Sequence, residues 1–580
     1  MEYSKIMSEL HNPSHSPNRS GKDLSSRKVL TMKAGELLPI LCKEVVPNDY
    51  FEIDTASLIR TNIPLQTAAF MRAKLHFDFF FVPATAIWRN YEYFVYQKQQ
   101  QESSVQLGSN YEPNMTLEEL YNCCLDGYSD SGSVVTDTVS ARMKVLNLLG
   151  YPYMFGYNSN PYSSGGSLEA IGQKSLTMLP LAGYNLIYNM VYRNAWRDEP
   201  NPYERRTYNL DWISCDTYAG SLKTASEFSY MAPGKVSLVQ MHYHGWYSDL
   251  FMGSLPNAQF GSVSTVSTSV LNSGHVDLVT PDSFGVFDQA LTGRRYGEND
   301  NRLFIRQTTG SNGSSLKVNG LTTQFDILAL RKAMALQKWK ESNARAGWKA
   351  SKQAKAFYGV DTRPDVKHEV ERLSNYEFPI MVDEVTSTAD TSGSSLGELG
   401  GKVIGVGNSP RMKFHAGERH GYLYCIAYIM PETEYDAIGI DPQLVRSEPF
   451  DHFNPAFENL GMVPVYKHTL NASGNASTFE NVLGYAPRYF EYKTDVDKVY
   501  CQFVGNSGQL KHWVTPRLDL ETMANLGSIP TRLYYVNPSI LNNVFGMLAD
   551  GTLDTDQFML NTRLSIKAVR PMSDLGLPNL

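Results

Sequence analysis

His242 and His244 stand one residue apart, so on an extended chain they project from one face. Imidazole is the commonest metal ligand, and such a pair could begin a metal site. A third ligand would have to come from far along the chain, with His275 the candidate. Histidines satisfied inside a core, or exposed, are the simpler reading. His368-Glu369 lacks the second histidine of a zincin, and Gly397-Glu398-Leu399-Gly400-Gly401-Lys402-Val403 has neither the spacing nor the Ser/Thr of a phosphate loop. Carboxylate pairs for glycoside hydrolysis need no linear signature, which leaves Asp383, Glu384, Asp451 and Glu458 as surface candidates. The densest chemical signal is cationic. Arg331, Lys332, Lys338, Lys340, Arg345, Lys349, Lys352 and Lys355 are opposed mainly by Glu341 and interleaved with Trp339, Trp348, Phe357 and Tyr358. Cations with aromatics between them can hold a single-stranded nucleic acid by phosphate contact and base stacking. A solvated or interfacial helix pair is the competing reading, because Arg331 and Lys338 fall within an apolar stripe of Ile327, Leu328, Leu330, Met334, Ala335 and Trp339.

These residues need a scaffold, and its centre is Lys74 to Pro83. Leu75, Phe77, Phe79 and Phe81 share one parity, with Lys74, His76 and Asp78 on the other. That is the period of a strand with one face in a core. Each phenylalanine offers on the order of 150–250 Å² to bury, which calls for a second sheet about 10 Å away. Pro83 cannot donate to the ladder and should end the strand. Further strands are expected within Gly35 to Asp54, at His420 to Met430 (both faces apolar or aromatic), Arg488 to Lys493, Val499 to Val504, Thr531 to Val536, and after Leu564. Helices are expected at Leu117 to Leu125, at Ala141 to Leu149, over 324–341, and after Pro180, where Tyr184, Ile187, Tyr188, Val191 and Ala195 recur at helical spacing. Strands near both ends, with helices and loops between, exclude a βαβ repeat and favour an antiparallel eight-stranded jelly roll, mainly β, with long insertions.

Composition narrows the class. The 580 residues would suggest roughly four domains by length alone, yet no linker separates four cores. Charged residues make up 19%, below the roughly 25% of ordinary soluble domains, and tyrosine reaches 35 copies. Few charges and many tyrosines suit a surface buried by neighbours. A net charge of −7 argues against coating nucleic acid with the whole surface. Cys42, Cys123, Cys124, Cys215, Cys425 and Cys501 are sparse and contain no CxxC pair, so neither a disulfide framework nor a zinc site is indicated. Cys425 and Cys501 sit in strand-like runs, where a buried free thiol is expected. The opening residues do not form a signal peptide, and no run of about 18 apolar residues could span a membrane. The expected organisation is an N-terminal arm over 1–28 and a single jelly-roll domain over 29–580. Its insertions are a helix and loop region at 84–256, a surface protrusion at 257–320 and a basic helical segment at 324–360.

Several stretches together resemble the major capsid protein of the Microviridae, most of all its gokushovirus-like and gut-associated members. They are Asn18 to Ser25, Gly35 to Pro47, Asp78 to Pro83, Leu179 to Asn185 with Arg193 to Arg197, and Asp249 to Pro256. Ala335 to Lys338, Ala344 to Gly347, His420 to Tyr422, Leu483 to Tyr489 and Gly576 to Pro578 continue it. The likeness spans nearly the whole chain in order, departing at Lys22, where relatives usually carry Phe. It implies a viral jelly roll with no catalytic role, no cofactor and no metal, assembled through pentamers into a T=1 icosahedral homo-oligomeric shell around a circular single-stranded DNA genome. The implied partners are scaffolding, pilot and small DNA-binding phage proteins and a host surface receptor, without membrane insertion. Assembly in the host cytoplasm and residence in the virion follow from it, with 257–320 as a protrusion at the threefold axes. The residue-level alternatives are a secreted carbohydrate-active β-sandwich enzyme and a phage receptor-binding protein.

Overall fold

The structure is a computed structural model. It describes residues 18–63, 65–88, 91–96, 113–125, 139–152, 168–194, 239–262, 264, 269–270, 277–279, 317–319, 323–324, 327–346, 350–359, 369–386, 399–472, 480–505, 508–517, 531–545 and 556–573. The chain separates into two compact units, Met1–Ala258 with Gly347–Leu580, and Gln259–Ala346.

A ten-stranded sheet builds the larger unit. Its strands are β1 (Ser20–Asp23), β2 (Ser26–Met32), β3 (Leu38–Val45), β4 (Tyr50–Thr61) and β5 (Ala73–Pro83). After a long gap come β6 (Glu371–Thr386), β7 (Leu399–Asn408), β8 (Met412–His415), β9 (Gly421–Pro431) and β10 (Phe558–Arg570). All pair antiparallel. β1 and β2 lie end to end along β10, and β7 and β8 end to end along β4. The first layer therefore runs β2–β10–β4–β7, and the second runs β3–β9–β5–β6. β6 joins them, pairing with β5 over Glu371 to Ile380 and with β7 over Met381 to Thr386. Eight strand positions in two four-stranded layers, with the chain crossing repeatedly between layers, are the jelly roll expected from the sequence.

The layers face each other through aromatic rings. Across the layers Phe81 of β5 meets Phe414 of β8 at 5.0 Å between centroids, while within the second layer Phe77 and Phe79 stand edge-on to Phe378 and Tyr376 of β6. Leu75, Phe77, Phe79 and Phe81 are all buried. Gly407 of β7 sits directly over the Phe378 ring, where a Cβ would come within 2.1 Å of the ring carbons.

The second layer is covered on its other side too. Helix α1 (Leu117–Leu125), α2 (Val139–Leu149) and α3 (Leu179–Ile187) belong to this unit. α3 begins with Pro180 in its first turn, where a missing N–H costs nothing. It runs on into a π-helical turn, Tyr188–Tyr192, and lies so close to β9 that Gly183 admits no Cβ beside the Tyr424 hydroxyl. Tyr424 in turn donates to the carbonyl of Pro180, so the tyrosine parity of β9 faces the helices. The first layer differs: Val29, Val406 and Met559 on its outward parity are exposed.

Three expected strands are something else. Val482–Pro487 is the strand, and Tyr489, at φ 61°, turns the chain into a 3-10 turn at Phe490–Tyr492. Cys501, also at φ 61°, breaks the next run after Lys498–Val499 and is exposed, contrary to the expected buried thiol. Thr531–Tyr534 is a 3-10 turn. A left-handed residue cannot continue a pleat, whatever its side chain's preference. Ser20 to Asp23 and Ser26 to Met32 extend the sheet from the stretch read as an arm; residues 1–17 of that arm lie outside the described residues.

In the smaller unit, α4 (Ile327–Ala346) is the largest element. The Lys340 ammonium donates to the carbonyl of Ser262, and Gln337 bonds Gln259 and Glu341. Asp277–Val279 pairs with Lys317–Asn319, and Ser269–Val270 with Thr323–Gln324. Leu303 to Ile305, most of 257–320, and His275 lie outside the described residues.

Candidate functional site

The second layer's outer face holds a buried polar centre. Asp78, on the strand parity opposite the phenylalanines, is 1% exposed. Its Oδ2 accepts from the hydroxyls of Tyr192 (2.7 Å) and Tyr428 (3.2 Å), and its Oδ1 from Arg372 (2.9 Å) and Asn375. Every lone pair is directed at a donor, so the carboxylate locks the π-helical turn, β9 and β6 onto β5. Burial and the Asp78 charge raise the pKa of both tyrosines, which therefore stay protonated as donors. A carboxylate enclosed in this way holds packing together and has no free lone pair for a proton transfer.

His242 and His244 fall beside this centre, each with ordinary partners. The His242 ring stacks on Tyr188 at 3.8 Å between centroids, and its Nε2 bonds Asn185 at 2.9 Å. His244 stacks on Tyr428, and its Nδ1 meets the carbonyl of Gly245. Burial lowers their pKa values to about 3 and about 4, keeping both neutral. Among the described residues no cluster of three His, Cys, Asp or Glu is placed to hold a metal. The backbone of 242–244 is not a regular strand. It bonds instead to Gly35 and Leu37 at the entry to β3.

The carboxylate candidates do not converge on a cleft. Asp383 and Glu384 lie on β6 opposite Lys402 and Gly401. Asp451 accepts from the N–H groups of Ser447 and Glu448, which lower its pKa, and Glu458 pairs with Lys493. An open depression of about 410 Å³ does gather Asp249, Glu432, Asp495 and Asp497 with Lys74 and Tyr247. Its acids are already committed. Asp249 caps Phe251 and Met252 and accepts from Tyr435, while Glu432 and Asp497 pair with Arg72. The sequence contains one Gly-x-Ser-x-Gly string, Gly393 to Gly397. It lies outside the described residues, and the element that follows is strand β7, not the helix of a nucleophile elbow.

The cationic segment is helical as expected, but it is divided. Arg331, Lys332, Lys338, Lys340 and Arg345 lie on α4 in the smaller unit. Lys352 and Lys355 lie on α5 (Ala350–Tyr358) in the larger one, and Lys349 and Trp348 lie outside the described residues. Arg331, Lys332, Lys338, Arg345, Lys352 and Lys355 are exposed. The apolar stripe is exposed too, with Ile327 at 66% and Met334 at 65%. Sequence reading did not anticipate the Asp78 centre. Arg372 and Asn375 stand far along the chain from it, and only the odd polar parity of a Phe-rich strand hinted at a second covered face.

Residues 11–165 and 154–580 match the family described as capsid protein (F protein). Among curated relatives, capsid protein VP1 of Bdellovibrio phage phiMH2K is 23% identical over 82% of this chain and 80% of its own length. Capsid protein VP1 of Chlamydia phage 1 is 23% identical over 98% of this chain and 96% of its own.

Proposed function

Because the chain belongs to the capsid protein (F protein) family, we propose that its copies close into a T=1 icosahedral shell, through pentamers, around a circular single-stranded DNA genome. It is a major capsid protein and a component of the virion, as the resemblance to the Microviridae protein implied. Its role is structural, and we assign it no catalysis. The single observation that carries this reading is the end-to-end family match laid over an intact jelly roll.

Contact between identical copies is supported by the chain between β9 and β10. Three 3-10 turns, Pro442–Leu444, Pro449–Asp451 and Pro455–Phe457, are capped by Asp441, by Glu448 with Asp451, and by Asn454. They hold out Leu444 at 78% exposure, Leu460 at 65%, and Phe450 and Phe453 at 47% each. Icosahedral closure uses heterologous contacts, and apolar side chains on rigid turns suit them. Residues 257–320 are proposed as the outward host-contacting protrusion, a reading that rests on their polar composition. The exposed cations of α4 and α5, with Lys349 and the 1–28 arm, are proposed to meet the genome. Scaffolding, pilot and small DNA-binding proteins are the expected partners in assembly. Among the described residues no helix is long and apolar enough to cross a membrane.

Sedimentation of the expressed full chain tests the assembly. Fast-sedimenting shells or pentameric precursors are expected, and a protein that stays monomeric at every concentration would remove the reading.

A further inference from the structure

The β2–β10–β4–β7 layer has an exposed outward face, and three arginines on it have no ion-pair partner among the described residues. The ladder registers place Arg27 of β2 directly opposite Arg563 of β10, and Arg60 of β4 opposite Met559 of β10. Directly opposed residues on an antiparallel pair stand about 4.5–5.5 Å apart, and like charges in that arrangement are destabilising. Arg60 lies four residues along β10 from Arg563, about 13 Å at strand rise.

Other cations on this face are neutralised. Arg411 pairs with Glu52 and Asp54, and Lys413 with Glu52. Lys567 stands opposite Asp23, and Lys402 opposite Asp383. Arg27, Arg60 and Arg563 are exposed and have no ion-pair partner among the described residues; Arg27 makes one hydrogen bond, from Nε to the Asn561 side chain. Asp23 acts on Arg563 at longer range, shared with Lys567, without forming an ion pair with it. Between them the same face shows Val29 and Val406, each 68% exposed. Val29, Asn561, Leu58 and Val406 form one continuous row across the four strands.

We propose that this exposed face holds a single-stranded polynucleotide, with Arg27, Arg60 and Arg563 on its phosphates and the Val29–Val406 row under its bases. The inference rests on the reading that the shell encloses single-stranded DNA, and it adds a sheet face to the segments proposed to meet it. The guanidinium fork matches a phosphate with two parallel N–H donors and can also stack on a base. Alternating cations and flat apolar surface are what a sequence-tolerant single-strand platform requires. An acidic protein segment is the competing anion. Peptides dock by adding to a sheet edge or by filling a groove, whereas these arginines project from the broad face, and Arg60 and Arg563 stand on strands paired along both edges.

The test uses the purified full chain, an oligothymidylate probe and a salt series read by fluorescence anisotropy. Replacing all three residues (R27Q, R60Q, R563Q) should flatten the dependence of log K on log salt by about 2, since each phosphate contact on a single strand contributes roughly 0.7. At moderate salt the affinity should fall about tenfold or more. The matching lysine triple (R27K, R60K, R563K) should keep most of the slope, and each single Gln variant should lose about 0.7 of it, so a triple that fails to fold still leaves the idea exposed to refutation. Unchanged slope and affinity in the Gln variants would overturn the proposal. So would polyglutamate binding as tightly as oligothymidylate through the same arginines, which would make the face an acidic-protein site. Sedimentation run in parallel reports on the shell itself. Shells that form while oligothymidylate binding ignores the arginines sink only this inference, whereas arginine-dependent binding by a chain that never forms shells sinks the reading beneath it.

Discussion

His242 and His244 show how one residue's environment replaces the function its type suggests. Both rings are stacked and enclosed, with pKa values pushed by burial to about 3 and about 4. In the unfolded chain they titrate near the ordinary value of about 6.5. Between about pH 4 and 6.5 the unfolded chain therefore takes up protons that the folded chain excludes, so stability rises with pH across that window and falls on acidification. The slope is at most about 1.4 kcal/mol per pH unit for each histidine. Buried Glu36 and Glu434, whose pKa values burial raises, act in the opposite sense, so the informative quantity is a difference. His242→Phe keeps the stack on Tyr188 and removes the titration. Urea unfolding at pH 7 and pH 5 should show a smaller loss of stability on acidification in the variant than in the parent chain; equal losses would mean that His242 is not held neutral.

At the scale of elements, β5 and β9 were legible because a period of two survives translation into structure. The Phe parity of β5 meets the opposing layer, and the tyrosine parity of β9 meets the helices. What could not be read was anything decided by one backbone angle or by a distant partner. Tyr489 and Cys501 look like strand residues and are left-handed. Asp78 looks like a solvent-facing strand residue and is enclosed by Tyr192, Tyr428, Arg372 and Asn375. The division of the cationic segment between two compact units left no trace in its composition. Gly407 is the element-scale point where the two layers test each other. A Gly407→Val side chain would enter the volume of the Phe378 ring, and forcing atoms into a packed core costs typically about 1–3 kcal/mol. Thermal unfolding should register that loss. Phe378→Ala in the same background should return part of it, because the ring that clashes is gone. An additive loss in the double variant would show that the glycine is needed for some reason other than this contact.

The whole molecule spends its length unevenly. One layer of the jelly roll is roofed by helices, the other exposes its outward face among the described residues, and the chain between β9 and β10 carries apolar side chains outward on capped turns. A monomer gains little from Leu460 and Leu444 in water, since apolar area removed from solvent is worth roughly 25 cal/mol per Å². Fixing a loop through three successive caps makes sense if its shape must match another surface. The edge-on and tilted ring contacts behind Phe453, to Tyr489 at 5.2 Å and Tyr492 at 6.0 Å, stiffen that presentation further. Exposed positions change folding stability little on substitution, usually within about 0.5 kcal/mol. Leu444→Glu with Leu460→Glu should therefore leave the melting of the isolated subunit almost unmoved. In the assembly the same pair would place uncompensated charge in a desolvated contact, which costs several kcal/mol per ion, repeated at every copy of the interface. Sedimentation should lose the shell species while circular dichroism still reports a folded chain. Normal shells from this variant would place the contacts between copies elsewhere on the molecule.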